Sequence, residues 1–152
     1  MTDFPSLKKA LILHVRSLLE QRIEEAHNTV VAVREAMRSD TKSSAGDKFE
    51  TGRAMMQQEM DKIAMQQEAN QRMLQEFNSI NFEAVRVVAK GSLVVTDTAL
   101  FFLTIGLGKT TCNGMEVFVI SPASPFGGQL PGMKEGQNLT FAGKISTIKG
   151  IY

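Results

Sequence analysis

The chain has 152 residues, 43% of them hydrophobic, so it can form one domain or two small ones with a real core. Its formal net charge is +1, which gives no basis for bulk electrostatic binding to nucleic acid. The single cysteine, Cys112, excludes an internal disulfide and a cysteine-rich zinc site. No apolar run reaches the roughly 18 residues that a membrane span needs, and the N-terminus lacks a secretory h-region. We therefore expect a cytoplasmic protein with no membrane partner.

A long helix is predicted to begin at Phe4-Pro5-Ser6, where Pro5 or Ser6 suits a helix start. Apolar or small residues then recur at heptad steps of three and four. These seam positions are Ile12, Val15, Leu19, Ile23, Ala26, Val30, Val33 and Met37. The pattern predicts one face packed against a second helix.

Residues 38–53 are polar and charged and contain Gly and Ser, so they are predicted to link two helices. A second seam follows at steps of four and three, and some of its positions are polar. Its positions are Phe49, Arg53, Met56, Met60, Ile63, Gln67, Asn70, Leu74 and Phe77. The two patterns predict an antiparallel coiled-coil hairpin over residues 1–80, with its tip near 39–50. A hairpin within one chain also predicts a monomer.

Residues 81–152 are predicted to form a small, antiparallel, β-rich domain, which makes the fold class α+β. Candidate strands, rich in Val, Ile, Phe and Thr, are 84–88, 92–96, 99–105, 116–120, 138–141 and 144–151. The Asn113-Gly114 pair is a strong hairpin signal. The Pro- and Gly-rich residues 121–130 allow a loop with one helical turn.

Several apparent motifs do not predict a site. Residues 106–110 end like a Walker A loop, but Leu103 stands where its first glycine should be. His14 and His27 lie thirteen residues apart with no further ligands at metal spacing. Cys112 has no nearby histidine that could activate it. No pairing of a nucleophile with a base is readable, so we expect no self-contained enzyme.

Residues 115–137 resemble the C-terminal signature of the bacterial Gre (GreA/GreB) transcript cleavage factors. In that family a strand leads to Ser-Pro, a turn of small residues, a Leu-x-Gly-Lys-like step and a Gly-Asp-like turn. Here Gly132, Lys134 and Gly136 keep much of this pattern, Met133 is extra, and Gln137 replaces the usual acid. The predicted hairpin is similar in length, and residues 40–45 resemble the family's acidic tip. The resemblance covers nearly the whole chain.

The resemblance implies a factor that binds RNA polymerase. Its C-terminal domain, FKBP-like in fold but not known for isomerase activity, would sit on the rim of the secondary channel. Its coiled coil would enter the channel, where two tip acids help hold a second Mg²⁺ beside the polymerase active site. The polymerase itself would then cleave backtracked RNA, and the factor would meet the RNA 3′ end only indirectly. Such a reaction is a two-metal hydrolysis that uses carboxylate oxygens as ligands.

Asp40 matches the first tip acid of the family, whereas Ser43 replaces the second. Asp47 or Glu50 could supply the missing carboxylate, and Asp47 is our candidate. The structural alternative is that Asp40 caps a turn and that Ser44 with Asp47 starts a helix. Both interpretations stay open at this point.

The resemblance also nominates polymerase-binding residues in the C-terminal loop, since that domain anchors the family to the channel rim. They are Ser121, Pro122, Pro125, Gly127, Gly132 and Lys134. The alternative is that the prolines and glycines only shape the loop.

The sequence thus predicts an elongation factor that promotes cleavage of backtracked RNA by the polymerase. One alternative, motivated by Ser43, is a channel-binding modulator that does not stimulate cleavage. Others are a coiled-coil adaptor unrelated to transcription, or a folding helper that uses the C-terminal domain. The single Tyr and the absence of Trp argue against an aromatic proline-isomerase pocket.

Overall fold

A computed structural model describes residues 2–42 and 46–152, and it describes side chains outside residues 40–50. Two helices, α1 (Phe4–Lys42) and α2 (Gly46–Asn78), precede a six-stranded sheet. Its strands are β1 (Leu93–Thr96), β2 (Leu100–Leu103), β3 (Gly108–Cys112), β4 (Met115–Ile120), β5 (Asn138–Phe141) and β6 (Lys144–Ile151). A 3₁₀ turn, Gly127–Gln129, lies between β4 and β5. The α+β class is confirmed.

Helix α1 begins at Phe4 because Asp3 caps it. The Asp3 carboxylate accepts hydrogen bonds from the Ser6 backbone N–H at 3.2 Å and from Ser6 Oγ at 2.6 Å. These bonds, the side-chain bond first, lower the pKa of the Asp3 carboxyl. Sequence reasoning chose Pro5 or Ser6 for the helix start and missed the cap, although Asp is a preferred N-cap residue.

The predicted seam of α1 is the least exposed stripe of the helix from Val15 onward. Before Val15 the buried stripe lies one position earlier than predicted, since Leu7 and Leu11 are buried while Ile12 is only half-buried. In α2 the seam is confirmed from Met56 to Phe77. Arg53 is exposed, so its assignment to the seam was wrong.

The two helices are antiparallel. Arg16, in the first half of α1, donates from Nε to Asn78 Oδ1 at the end of α2, at 2.9 Å. The other ends, Lys42 and Gly46, are four positions apart along the chain. The link predicted over residues 38–53 was therefore too long, because both helices extend into it. Neither helix offers, in its described residues, a stretch long and apolar enough to cross a bilayer.

The chain divides into two compact units, residues 17–75 and residues 1–16 with 76–152. The first unit holds most of both helices. The second holds the sheet together with the first turns of α1. That residues 1–80 and residues 81–152 each fold as a separate domain stays a prediction.

The sheet has the strand order β3-β4-β2-β1-β6-β5. All neighbouring pairs are antiparallel except β2 and β4, which are parallel, so the sheet is mostly antiparallel and departs from the predicted antiparallel domain at that pair. The Asn113-Gly114 turn joins β3 to β4 with φ values of +51° and +78°, as a type I′ turn requires.

Two strand predictions differ from the structure. Residues 84–88 form no strand; Val87 forms an isolated bridge with Lys134, and Val88 is buried in the core. Strand β3 was not among the candidate strands, although it ends directly before the predicted Asn113-Gly114 turn.

Both faces of β1 and β2 are buried. One face packs around Val94, Phe101 and Ile148 with Leu130 from the loop, and the other carries Leu93 and Phe102, with the Phe77 ring of α2 6.4 Å from that of Phe102.

Candidate functional site

The two candidate metal ligands lie at adjoining helix ends. Asp40 lies in the last turn of α1, and Asp47 is the second residue of α2. Their side chains lie outside the described part of the structure, as do Ser43 and Ser44 altogether.

The backbone separates the roles of the two acids. Because α1 continues through Asp40 to Lys42, Asp40 does not start a helix. A carboxylate in the last helical turn is disfavoured by the helix dipole, whereas one in the first turn is favoured. Asp47 therefore lies where the helix dipole favours a carboxylate, and Asp40 lies where the dipole disfavours one.

The donor set suits a hard cation. Carboxylate oxygens are the ligands that Mg²⁺ prefers, and the ion usually takes only one or two of them from a protein. No group of three or more His, Cys, Asp or Glu side chains that could hold a metal occurs among the residues described. A Mg²⁺ at Asp40 and Asp47 would thus need further ligands from water or a partner.

The predicted docking residues Ser121, Pro122, Pro125 and Gly127 share one tight turn after β4. Ser124 Oγ donates to the Ser121 carbonyl at 2.6 Å and accepts the Gly127 N–H at 3.0 Å. A Cβ on Gly127 would lie 1.9 Å from the Ser121 carbonyl oxygen. Ser121 and Gly127 therefore hold the turn together, as the loop-shaping alternative requires.

Hydrophobic side chains fix this turn to the sheet. The Phe126 ring lies 5.1 Å from that of Phe101 and 4.7 Å from that of Phe141. Leu130 is fully buried. The loop is thus a packed part of the core. Of its predicted docking residues, Pro125 is exposed and Pro122 is half-buried.

Gly132 and Lys134 lie in a second place, where the loop pairs with the segment before β1. Gly132 N–H donates to the Val88 carbonyl, and Val88 N–H donates to the Met133 carbonyl, both at 2.8 Å. The Lys134 N–H donates to Gln137 Oε1 at 2.7 Å, so the Gln137 side chain closes the turn. The Lys134 side chain remains exposed.

Sequence reasoning missed the neighbours of Lys134. The bridge from Val87 to Lys134 brings Val85, Arg86 and Val87 beside Lys134 and Glu135, where they line a groove of about 540 Å³. The alternation of Val and Arg was visible, but it was assigned to a strand. Only the pairing between distant segments reveals a shared surface.

The remaining titratable groups of interest have structural partners. His14 Nε2 lies 2.9 Å from Thr110 Oγ1, and burial raises the pKa of the Cys112 thiol, which keeps it protonated. Lys8 is buried and donates from Nζ to the Phe82 carbonyl at 2.6 Å. Burial lowers the pKa of Lys8.

The four-residue sequence from Lys109 to Cys112 lies in β3 and not at a helix start, which rules out the Walker A interpretation.

Comparison with known protein families, curated proteins and solved structures gives no match to this chain.

Proposed function

We propose that this protein binds RNA polymerase at its secondary channel and promotes cleavage of backtracked RNA by the polymerase's own active site. In this proposal it is a cytoplasmic, monomeric relative of the Gre factors and not itself an enzyme. The observation that carries the proposal is the placement of Asp40 and Asp47 in adjoining terminal turns of two antiparallel helices.

The helix lengths support a role in reaching a distant site. Helix α1 has 39 residues and α2 has 33, which corresponds to about 58 Å and about 50 Å. Most of the described side chains in residues 17–75 are exposed, so these helices present a largely polar surface. A polar helix pair that carries acids at its end suits a water-filled channel.

The position of Asp40 supports a chemical role for it. A carboxylate in the last turn of a helix costs a few tenths of a kcal/mol up to about 1 kcal/mol. In this proposal the use of its charge at the tip accounts for an Asp at a position that the helix dipole disfavours.

Asp40 and Asp47 would hold Mg²⁺ through their carboxylate oxygens. When bound, the ion would stabilise charge on the scissile phosphate and activate a water. The chain's own residues would deliver and orient these carboxylates, and the sheet unit, FKBP-like in this proposal, would fix the protein to the channel rim. Two acids hold Mg²⁺ weakly by themselves, so the isolated protein should not bind it tightly.

The test is RNA cleavage in stalled, backtracked polymerase complexes. We expect Asp40→Asn to keep polymerase binding and to reduce the cleavage rate by about 10²-fold or more, since a missing charge-stabilising group typically has this effect. Asp47→Asn should reduce it less if water can replace that ligand. The matched control is Asp61→Asn, which neutralises an exposed acid on α2 that contacts Gln57.

Full cleavage by both tip variants would exclude the metal role. Binding without cleavage by the wild type would favour the modulator, for which Ser43 in place of the second acid is the motivating feature. Failure of the wild type to bind polymerase would leave the adaptor as the better account.

A further inference from the structure

A groove in the sheet unit joins three parts of the chain. Val85, Arg86 and Val87 precede β1, Lys134 and Glu135 follow the loop, and Ile151 comes from β6. We refer to it as the 85–87 groove. We propose that an acidic surface of RNA polymerase docks into this groove with an apolar side chain against its valines. This inference rests on the proposed function and assigns the docking surface to particular residues.

The apolar part of the groove is open. Val85 is 40% exposed and Val87 is 37% exposed, and both belong to the few large hydrophobic side chains exposed in the described structure. Ile151 beside them is half-buried. Neighbouring apolar groups that remain in contact with water favour a binding partner that covers them.

The charges around the valines favour an acidic partner. Arg86 and Lys134 are exposed, and neither forms an ion pair with any carboxylate in the described residues. Lys90 and Lys109, by contrast, are paired with Glu76 at 2.7 Å and with Glu116 at 3.1 Å. Glu135 is the groove's own carboxylate, which leaves the groove a net charge of +1. Complementary charge at an interface raises the association rate and fixes the orientation of the partner.

The main chain of the groove offers further donors. Residues 84–87 are exposed, and their N–H groups make no hydrogen bond within the part of the chain that is described. The next residue, Val88, is fixed on both sides by its bonds with Gly132 and Met133. The segment is thus anchored at one end and presents unpaired donors, which suit carboxylate or carbonyl oxygens of a partner.

The turn after β4 is a poorer docking surface than this groove. Its Ser121 and Ser124 polar groups bond within the turn, and its Phe126 packs against the core. Of the docking residues predicted from the sequence, Lys134 is the one that lines the 85–87 groove. The docking surface is therefore expected at Val85, Arg86, Val87 and Lys134.

The experiment measures the affinity of the full-length protein for purified RNA polymerase at several salt concentrations. The double variant Arg86→Glu/Lys134→Glu is compared with Lys9→Glu/Lys144→Glu, which makes the same change of net charge at exposed lysines outside the groove. We expect the groove variant to weaken binding by about tenfold or more and to reduce its salt dependence, and the control to change it by about twofold at most.

A second pair tests the apolar part. Val85→Ser/Val87→Ser should weaken binding, whereas Ile145→Ser, which alters a side chain that is 71% exposed outside the groove, should not. Thermal unfolding of each variant identifies any loss caused by misfolding. Binding by the wild type that both groove variants leave unchanged would overturn this inference alone, as would equal weakening by the two charge variants. No binding by the wild type would overturn the proposed function as well.

Discussion

The two compact units differ in how they are held together. In residues 17–75 the described side chains that are buried are Leu19, Ile63 and Asn70, and one of these three is polar. The unit formed by residues 1–16 and 76–152 buries a continuous cluster that includes Phe101, Leu103 and Leu130. Because apolar burial is the main source of folding stability, the sheet unit should hold most of it.

Because of this difference, the two units are suited to different tasks. The pair of helices has few buried side chains and presents polar surface along its length. Asp40 and Asp47 lie where α1 ends and α2 begins, which puts these acids at one end of the pair. A sheet with a packed core can offer a fixed surface such as the 85–87 groove. Helix α1 belongs to both units: it lies in the sheet unit up to Arg16, where Lys8 and His14 bond to Phe82 and Thr110, and in the other unit from Ser17 onward.

The largest expected effect comes from truncating the core of the sheet unit. Phe101 is fully buried and contacts the rings of Phe118, Phe126 and Phe141, so Phe101→Ala should lower the free energy of unfolding by about 3–5 kcal/mol. Ile63→Ala should cost about 2 kcal/mol, at the low end of the range for such a change, because its surroundings are sparse.

Urea unfolding with two probes measures both effects. Tyr152 is the only tyrosine in a chain without tryptophan, and its ring lies 5.3 Å from that of Phe4 in the sheet unit. Its fluorescence reports on that unit, and circular dichroism at the helix band reports mainly on the helices. Phe101→Ala should shift the fluorescence transition, and Ile63→Ala should shift the helix band. Identical shifts of both probes in each variant would mean that the two units unfold as one.

A single type of substitution should have opposite effects in the two units. A Cβ on Gly127 would clash with the Ser121 carbonyl oxygen, so Gly127→Ala should destabilise the protein by about 1–3 kcal/mol. Gly52 lies within α2 and has no atom within 4 Å of an added Cβ. Gly52→Ala should therefore stabilise the helices by about 0.5–1 kcal/mol.

Melting temperatures of the two variants test this contrast. Gly106→Ala is the control for the loop, since its nearest neighbour to an added Cβ is Ser121 Cβ at 3.9 Å. A loss of stability from Gly106→Ala as large as that from Gly127→Ala would contradict the steric explanation. A loss from Gly52→Ala would contradict the view that α2 is open at this position.

Local patterns predicted much of this fold. The seam of α1 from Val15 onward, the seam of α2 from Met56 onward, the bounds of β5 and β6, the Asn113-Gly114 turn and the single helical turn near Gly127 all follow from residues close together in the chain. Heptad steps and turn chemistry act over a few residues, and so a single sequence records them.

The errors have a common physical cause. The parallel pairing of β2 with β4 and the bridge from Val87 to Lys134 join segments far apart in the chain, and no local pattern encodes such a choice. The same holds for the candidate sites. Asp40, Asp47 and the loop were identified from the resemblance, whereas Arg86 became a candidate only when the fold placed it beside Lys134.

The smallest expected effect concerns the buried Lys8. Its pKa is lowered from 10.5 by burial, so between the lowered pKa and 10.5 the unfolded chain binds a proton that the folded chain has released. The free energy of unfolding should therefore rise with pH in that window, and the cost of burying the charge is fully present below it. Lys8→Met should remove this rise, while Lys9→Met, at an exposed neighbour, should keep it. Urea unfolding at a series of alkaline pH values measures the slope. If the slope is unchanged in Lys8→Met, another group causes the rise with pH. The lost hydrogen bond to the Phe82 carbonyl would then change the free energy of unfolding by the same amount at every pH.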